Sequence, residues 1–335
     1  MSSTQAFWKG RKVLVTGAGG FIGSHLCEAL IASGADVTAM VHYDIRTEYS
    51  NLEFLPPAEL KRLKVISGDV CDPFFTRQSV QGMDTVFHLA ALIAIPYSYV
   101  APQSYVRVNV EGTLNIAEAC RSEKVRRLVH TSTSETYGTA IYTPIDEKHP
   151  LQGQSPYSAS KIGADKIIES YFYSFNLPAV TLRPFNAFGP RQSARAVIPT
   201  LISQLLSNVP TLRIGNLTPV RDFNYVKDTV AAFMAVAEHD SCLGKTLNAG
   251  SGRGVTIGET AELIMKLLSK NKTLESDTAR FRPDGSEVFE LICDSTELQR
   301  LTPWKPSYTL EQGLTETIAF IEKNLSRFRV DTYAV

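Results

Sequence analysis

The stretch Lys12-Val13-Leu14-Val15-Thr16-Gly17-Ala18-Gly19-Gly20-Phe21-Ile22-Gly23 decides how this chain is read. An apolar run of strand length ends in three glycines, Gly17, Gly20 and Gly23, spaced G-x-x-G-x-x-G, and a helix-like segment follows. Such glycines permit a tight turn, a close approach of backbone to a pyrophosphate, and hard packing of helix on strand. The helix N-terminus then offers free N–H groups and a partial positive charge to an anion. A glycine triplet alone reads equally as a structural turn. The strand before it and the helix behind it favour a dinucleotide site, with Gly17, Gly19, Gly20, Phe21, Ile22 and Gly23 as its contacts.

Outward from this loop, strand-like and helix-like segments alternate. The strands are expected at Lys12–Thr16, Asp36–Val41, Lys64–Gly68, Thr85–Leu89, Arg127–Thr131 and Ala179–Arg183, with helices at Ile22–Ser33, Ser104–Arg121 and Tyr157–Phe175. The rhythm predicts an α/β chain of Rossmann type, a doubly wound parallel sheet. Beyond Asn186 prolines punctuate the pattern, and helices at Val197–Leu206 and Ile257–Leu268 are separated by loops. We read a smaller C-terminal α/β substrate lobe there. Asp222–Ala237 and Thr246–Gly250 are expected to return to the first lobe. The expected division is residues 1–186 plus 222–250 for the cofactor, and 187–221 plus 251–335 for the substrate.

The chain has 335 residues, 44% of them hydrophobic and 20% charged, and no net charge, so composition points to neither nucleic acid nor an anionic membrane. No apolar run approaches the ~18–20 residues of a membrane span, and Met1 to Gly10 shows no signal-peptide core. Cys27, Cys71, Cys120, Cys242 and Cys293 are scattered without a C-x-x-C pair, which argues against disulfides and structural zinc and makes the cytoplasm the default compartment. His25, His88 and His130 lack metal-ligand spacing, so packing or local hydrogen bonding is their reading and no metal site is expected.

A second signal is Tyr157-Ser158-Ala159-Ser160-Lys161. Positions i and i+4 share a helix face, so phenol and ammonium project into one space. A nearby ammonium favours the phenolate, lowering the tyrosine pKa toward that of a base able to take a proton from a sugar hydroxyl. A surface tyrosine beside a solvated lysine is the alternative. A third signal, Thr131-Ser132-Thr133-Ser134-Glu135, closes an expected strand, and ligands of open α/β sheets bind outside such ends. There Thr133 can hold a substrate hydroxyl beside Tyr157, with Ser134 and Glu135 adjacent. A Ser/Thr-rich loop capping the next helix would look similar. Asp146 and Glu147 read as a solvated loop.

Together these residues resemble the extended short-chain dehydrogenase/reductases, the nucleotide-sugar epimerases and dehydratases. Gly68-Asp69-Val70 is similar to that family's adenine-contacting turn, and His88-Leu89-Ala90-Ala91 to its post-strand cofactor loop. Asn109 matches its central-helix asparagine, Arg183-Pro184-Phe185-Asn186 its strand leading to substrate, and Val220-Arg221-Asp222-Phe223 the segment whose arginine grips the diphosphate. The resemblance implies cofactor contacts from Asp69, Val70, Leu89, Ala90, Ala91, Asn109, Thr131, Tyr157 and Lys161. It implies catalysis by Thr133, Ser134, Glu135, Tyr157 and Lys161. Substrate contacts are read at Ile93, Tyr97, Ser134, Glu135, Asn186, Arg195, Val197, Arg221 and Arg282. Arg191 is a further candidate for the nucleotide phosphates or base.

Thr133-Ser134-Glu135 resembles the dehydratases and decarboxylases, since simple 4-epimerases usually lack the glutamate. The stretches Ala90–Tyr99, Ile145–Pro150, Gly189–Pro199 and Gly215–Pro219 look like N-acetylglucosamine-nucleotide 4,6-dehydratases of legionaminic-acid-type pathways. That implies transient C4 oxidation, loss of water across C5–C6 and hydride return to C6 of an NDP-N-acetylglucosamine, UDP- or GDP-linked, with a tightly bound NAD. UDP-glucuronate decarboxylation, 4-epimerisation and non-catalytic nucleotide-sugar sensing are the alternatives. Intact Thr133, Tyr157 and Lys161 argue against the last. Val41 stands where an acid for the NAD ribose is expected. Asp44 can serve instead, whereas Arg46 suits a 2′-phosphate, so NADP stays open. Relatives pair two helices across a two-fold axis, which implies a homodimer through a four-helix bundle.

Overall fold

A computed structural model describes residues 3–44 and 48–328. Its centre is a parallel sheet of seven strands: β1 (Lys12–Thr16), β2 (Asp36–His42), β3 (Lys64–Gly68), β4 (Thr85–His88), β5 (Arg127–Thr131), β6 (Ala179–Pro184) and β7 (Thr246–Ala249). They lie in the order β7-β6-β5-β4-β1-β2-β3. Chain order reverses beside β1, and a ligand crevice opens at such a switch point. The α/β, Rossmann-type expectation holds. Burial explains the near-continuous apolar strands, because Val13, Leu14, Val15, Val86, Phe87, Leu128 and Val129 are fully enclosed.

Helix α1 (Phe21–Ala32) packs Leu26, Leu30 and Ile31 into the core. Helix α2 (Gly112–Ser122) and helix α3 (Pro156–Phe175) cover the other face with Ile116, Ala117 and Ile168. A Ser155 capping box and Pro156 start α3, and Asn176 in the left-handed conformation ends it. The expected single helix over 104–121 differs. Val106–Glu111 is a π-helix between a short turn at Pro102–Tyr105 and α2. The wider turn re-aims its side chains and leaves Asn109 wholly buried.

β7 returns from residue 246 to pair with β6. Helices α4 (Val197–Leu206) and α6 (Ile257–Leu267) and small sheets of two or three strands build the C-terminal part, while helix α5 (Val226–Glu238) packs on α1, β5 and β6 as expected for a segment that returns to the first lobe. Among the described residues no helix is long and apolar enough to cross a membrane.

Candidate active site

The glycine loop forms a cradle that only bare backbone fits. Gly17 has φ +69°, and a Cβ on it would lie 2.7 Å from Ala90 N and 2.8 Å from Leu89 C. A Cβ on Gly23 would lie 2.3 Å from Gly17 O, and Gly20 N donates to that same oxygen at 2.9 Å. Gly20 caps α1 without a side chain, so no N-cap side chain takes up the helix N–H groups beside Phe21 and Ile22. Thr16 Oγ1 accepts from Ala90 N at 3.1 Å and meets His88 Nδ1 at 2.9 Å, tying the loop after β4 to the end of β1. Asn51 N donates to Gly19 O, and Asn51 Nδ2 to Arg191 O, so residues 49–51 close over the loop. Sequence reading missed Asn51 because nothing local marks it.

Around the cradle, Asp69 folds its carboxylate onto Cys71 N at 2.9 Å, and Val70 is buried. Val41 is buried, β2 runs on to His42, and Asp44 lies exposed beyond its end. Arg46 lies outside the described residues. Arg191 pairs with Glu28 at 2.8 Å instead of reaching open space. The three histidines find local partners: His25 meets Pro190 O, His88 bridges Thr16 and Thr113, and His130 meets Asp165.

Asn109 closes a bridge between the loop after β4 and α3. Its Oδ1 accepts from Leu92 N at 2.8 Å, and its Nδ2 donates to Leu92 O and Ser160 Oγ, both at 2.9 Å. Ser160 in turn donates to Tyr157 O at 2.7 Å. The amide is fully engaged by protein and acts on the helix that carries Tyr157.

Tyr157 and Lys161 share a buried face of α3. Their relation differs from the expected one. Lys161 Nζ donates to Thr131 O at 2.6 Å, because the carbonyl ending β5 lies within its reach. Burial raises the Tyr157 phenol well above its usual pKa. A hydrogen bond from Thr133 opposes that rise, while Glu135, Tyr105 and Asp165 add to it. Burial also lowers Lys161 to about 8, against a raising effect of Asp165. The tyrosine is therefore not lowered by its lysine. Thr131 Oγ1 and Asn186 Oδ1 are buried without a partner, a costly state unless a ligand supplies one. The Thr131 orphan and the bare-backbone cradle fit a dinucleotide.

Thr133 caps a single tight turn, Ser134–Tyr137, and accepts from Glu135 N at 3.2 Å. The turn buries Ser134 and Glu135. Arg282 grips Glu135 with two nitrogens, 3.2 Å to Oε2 and 3.4 Å to Oε1. Arg221 is buried beside this pair and meets Glu287 at 3.6 Å. Tyr99 OH and Ser286 Oγ, 2.5 Å apart, tie the 284–287 stretch to the loop that carries Tyr97. Ile93, Tyr97 and Arg195 are exposed, and Arg195 acts electrostatically on Tyr105. Val197 opens α4. Glu147, expected in solvent, instead accepts from Asn248 N at 2.8 Å and is raised by burial.

Residues 14–317 match the protein family described as GDP-mannose 4,6 dehydratase. This chain belongs to that family, within the extended short-chain dehydrogenase/reductases. A dTDP-D-glucose 4,6-dehydratase of Mus musculus is 30% identical over 95% of this chain and 91% of its own length. The structure of a dTDP-glucose 4,6-dehydratase from Streptomyces venezuelae with NAD bound superposes with a TM-score of 0.85 at 26% identity, covering 95% of this chain and 98% of that one. A UDP-glucuronic acid 4-epimerase from Bacillus cereus, in complex with UDP-glucuronic acid and NAD, superposes at 0.84 with 29% identity, covering 93% and 99%. Dehydratases and epimerases of this family thus share the scaffold.

Proposed function

We propose that this protein is a nucleotide-sugar 4,6-dehydratase acting on an NDP-N-acetylglucosamine, UDP- or GDP-linked, with a resident NAD. Glu135 carries this reading. It is a third acid–base group on the strand end that also presents Thr133, facing the helix of Tyr157. C4 inversion needs one base at C4, whereas elimination across C5–C6 needs a further group at C5. The N-acetyl preference rests on the resemblance of the 90–99 and 189–199 stretches.

The cradle of Gly17, Gly19, Gly20 and Gly23, with Leu89, Ala90, Thr131, Tyr157 and Lys161, would hold the dinucleotide, which when bound supplies a hydride acceptor and donor. Tyr157 Oη takes the proton of the C4 hydroxyl, which Thr133 orients. Thr133 also favours the phenolate that burial opposes. Lys161 anchors the end of β5 and sets a positive field behind the pair. With a ketone at C4 the C5 hydrogen becomes acidic, and the Glu135 carboxylate takes it. The C6 hydroxyl leaves as water, taking its proton from Ser134 or from the newly protonated Glu135. Arg221, Asn186 and Arg195 are assigned to the diphosphate and sugar, with Arg282 moving between Glu135 and the phosphates. We assign cofactor binding to 1–186 plus 222–250 and sugar-nucleotide binding to the remainder.

Mass spectrometry of the product from UDP- and GDP-N-acetylglucosamine, with no cofactor added, tests this. Loss of one water supports the dehydratase and identifies the nucleotide. Loss of carbon dioxide from UDP-glucuronate would replace it with a decarboxylase. A mass-neutral inversion at C4 would make it an epimerase, a reading favoured by the equally close superposition of the Bacillus cereus enzyme.

A further inference from the structure

Asp165 lies on α3 one turn beyond Lys161 and two beyond Tyr157, so all three share a face. It is buried, and its carboxylate accepts four hydrogen bonds: His130 Nε2 at 3.2 Å, Ser132 Oγ at 2.7 Å, and Arg183 Nε and Nη2 at 3.2 and 2.8 Å. His130 and Ser132 flank Thr131, whose carbonyl receives Lys161 Nζ at 2.6 Å. One carboxylate on the helix therefore holds the end of β5 on both sides of the lysine's acceptor. Thr133, Ser134 and Glu135 follow directly.

We propose that Asp165 is a positioning residue: by clamping the end of β5 to α3 it sets the spacing between the Thr133–Glu135 turn and the Tyr157–Lys161 pair. This rests on the acid–base reading of that pair given above. An ion pair serving stability alone would need only Arg183. The additional bonds to His130 and Ser132 are what tie Asp165 to the strand end. Charge adds a second consequence. The groups facing Lys161 are Asp165 and Tyr157 on its own helix, His88 from β4 and His130 from β5, with Arg183 of β6 behind the carboxylate. Burial lowers both histidines, His130 to about 4, so they stay neutral near pH 7. Asp165 is the anion that favours the Lys161 ammonium. Without it the ammonium is lost at lower pH.

The test compares wild type with Asp165→Asn, Asp165→Glu, Ser132→Ala and Tyr157→Phe, by turnover of UDP- and GDP-N-acetylglucosamine across pH and by crystal structures. Asp165→Asn is expected to lower kcat by about tenfold to a hundredfold while KM stays within about twofold. Its alkaline limb moves to lower pH, and Lys161 Nζ leaves Thr131 O. Asp165→Glu restores part of the rate. Ser132→Ala removes one tie without unpairing Arg183, and its smaller fall in kcat keeps the test open if Asp165→Asn fails to fold. Unchanged kcat and alkaline limb in a folded Asp165→Asn, or in Ser132→Ala where Asp165→Asn does not fold, overturn the proposal. If wild type converts neither sugar, the substrate reading falls; if Tyr157→Phe matches wild type, the acid–base reading falls. The structures then decide alone, and a retained Lys161–Thr131 bond in the variants overturns the positioning role.

Discussion

Glu135 and Arg282 are 147 positions apart, yet they meet as a two-point ion pair in a buried site. Fixed guanidinium donors hold a carboxylate in one orientation. Glu135→Gln removes the proposed C5 base but keeps the shape. Water loss should fall by about a hundredfold or more, while reduced nicotinamide still forms on mixing with substrate. Absorbance of the reduced cofactor and product mass read the two steps separately. Tyr157→Phe should abolish both. On the proposed mechanism Lys161 sets the pH range. Burial weakens its charged form and brings it to about 8, so the ammonium is present below that pH and lost above it. The rate should decline as pH rises through about 8, and a pH–rate profile checks it. Thr133, Tyr157 and Lys161 were legible because each belongs to a short motif on one element. The Arg282 contact to Glu135 was not, since it joins distant segments and no period or spacing encodes it.

At the level of elements, Gly17 and Gly23 are points of the cofactor cradle where an added Cβ would meet backbone. Alanine at Gly23 would press a methyl against Gly17 O at 2.3 Å, and its nearest neighbours are all backbone of Gly17 and Ala18, with nothing flexible to give. Gly23→Ala should destabilise the fold by about 1–3 kcal/mol and weaken NAD retention, read by urea unfolding and by cofactor content after gel filtration. The strand-end clamp has its own signature. Burial alone would raise Asp165, but the His130 hydrogen bond and the Arg183 charge bring it down to about 2. A carboxylate held below its unfolded value of 3.8 adds stability that is present above that pH and lost as pH falls toward 2. The shift corresponds to about 2 kcal/mol. In Asp165→Asn this part of the acid destabilisation should vanish, as urea midpoints at pH 5 and below would register. All six expected strands start and end within one residue of the observed ones, because a buried strand writes its burial directly into its composition. The π-turn at 106–111 was hidden, since the same residues fit an ordinary helical period.

Over the whole molecule, apolar side chains remain uncovered on one side. Val100 is 72% exposed, Val106 56% and Leu114 38%, along the 95–122 segment, and Tyr173 and Phe175 are exposed on α3, which packs beside it. Single exposed apolar residues need no explanation, but several on neighbouring helices do. An isologous contact would let the 106–122 helices and α3 of one protomer pack on their copies, giving the four-helix bundle that the resemblance implies. A stable pairing of this kind buries about 800 Å² per partner. The site's own helix, α3, would then be stiffened from behind, linking assembly to the placement of Tyr157 and Lys161. Val106→Glu with Leu114→Glu puts two like charges onto each side of the two-fold. Sedimentation at micromolar concentration should show the wild-type chain at twice the monomer mass and the double variant at the monomer mass, with circular dichroism unchanged. A wild-type monomer, or a variant that still sediments as a dimer, would place the interface elsewhere and leave these side chains as an ordinary surface.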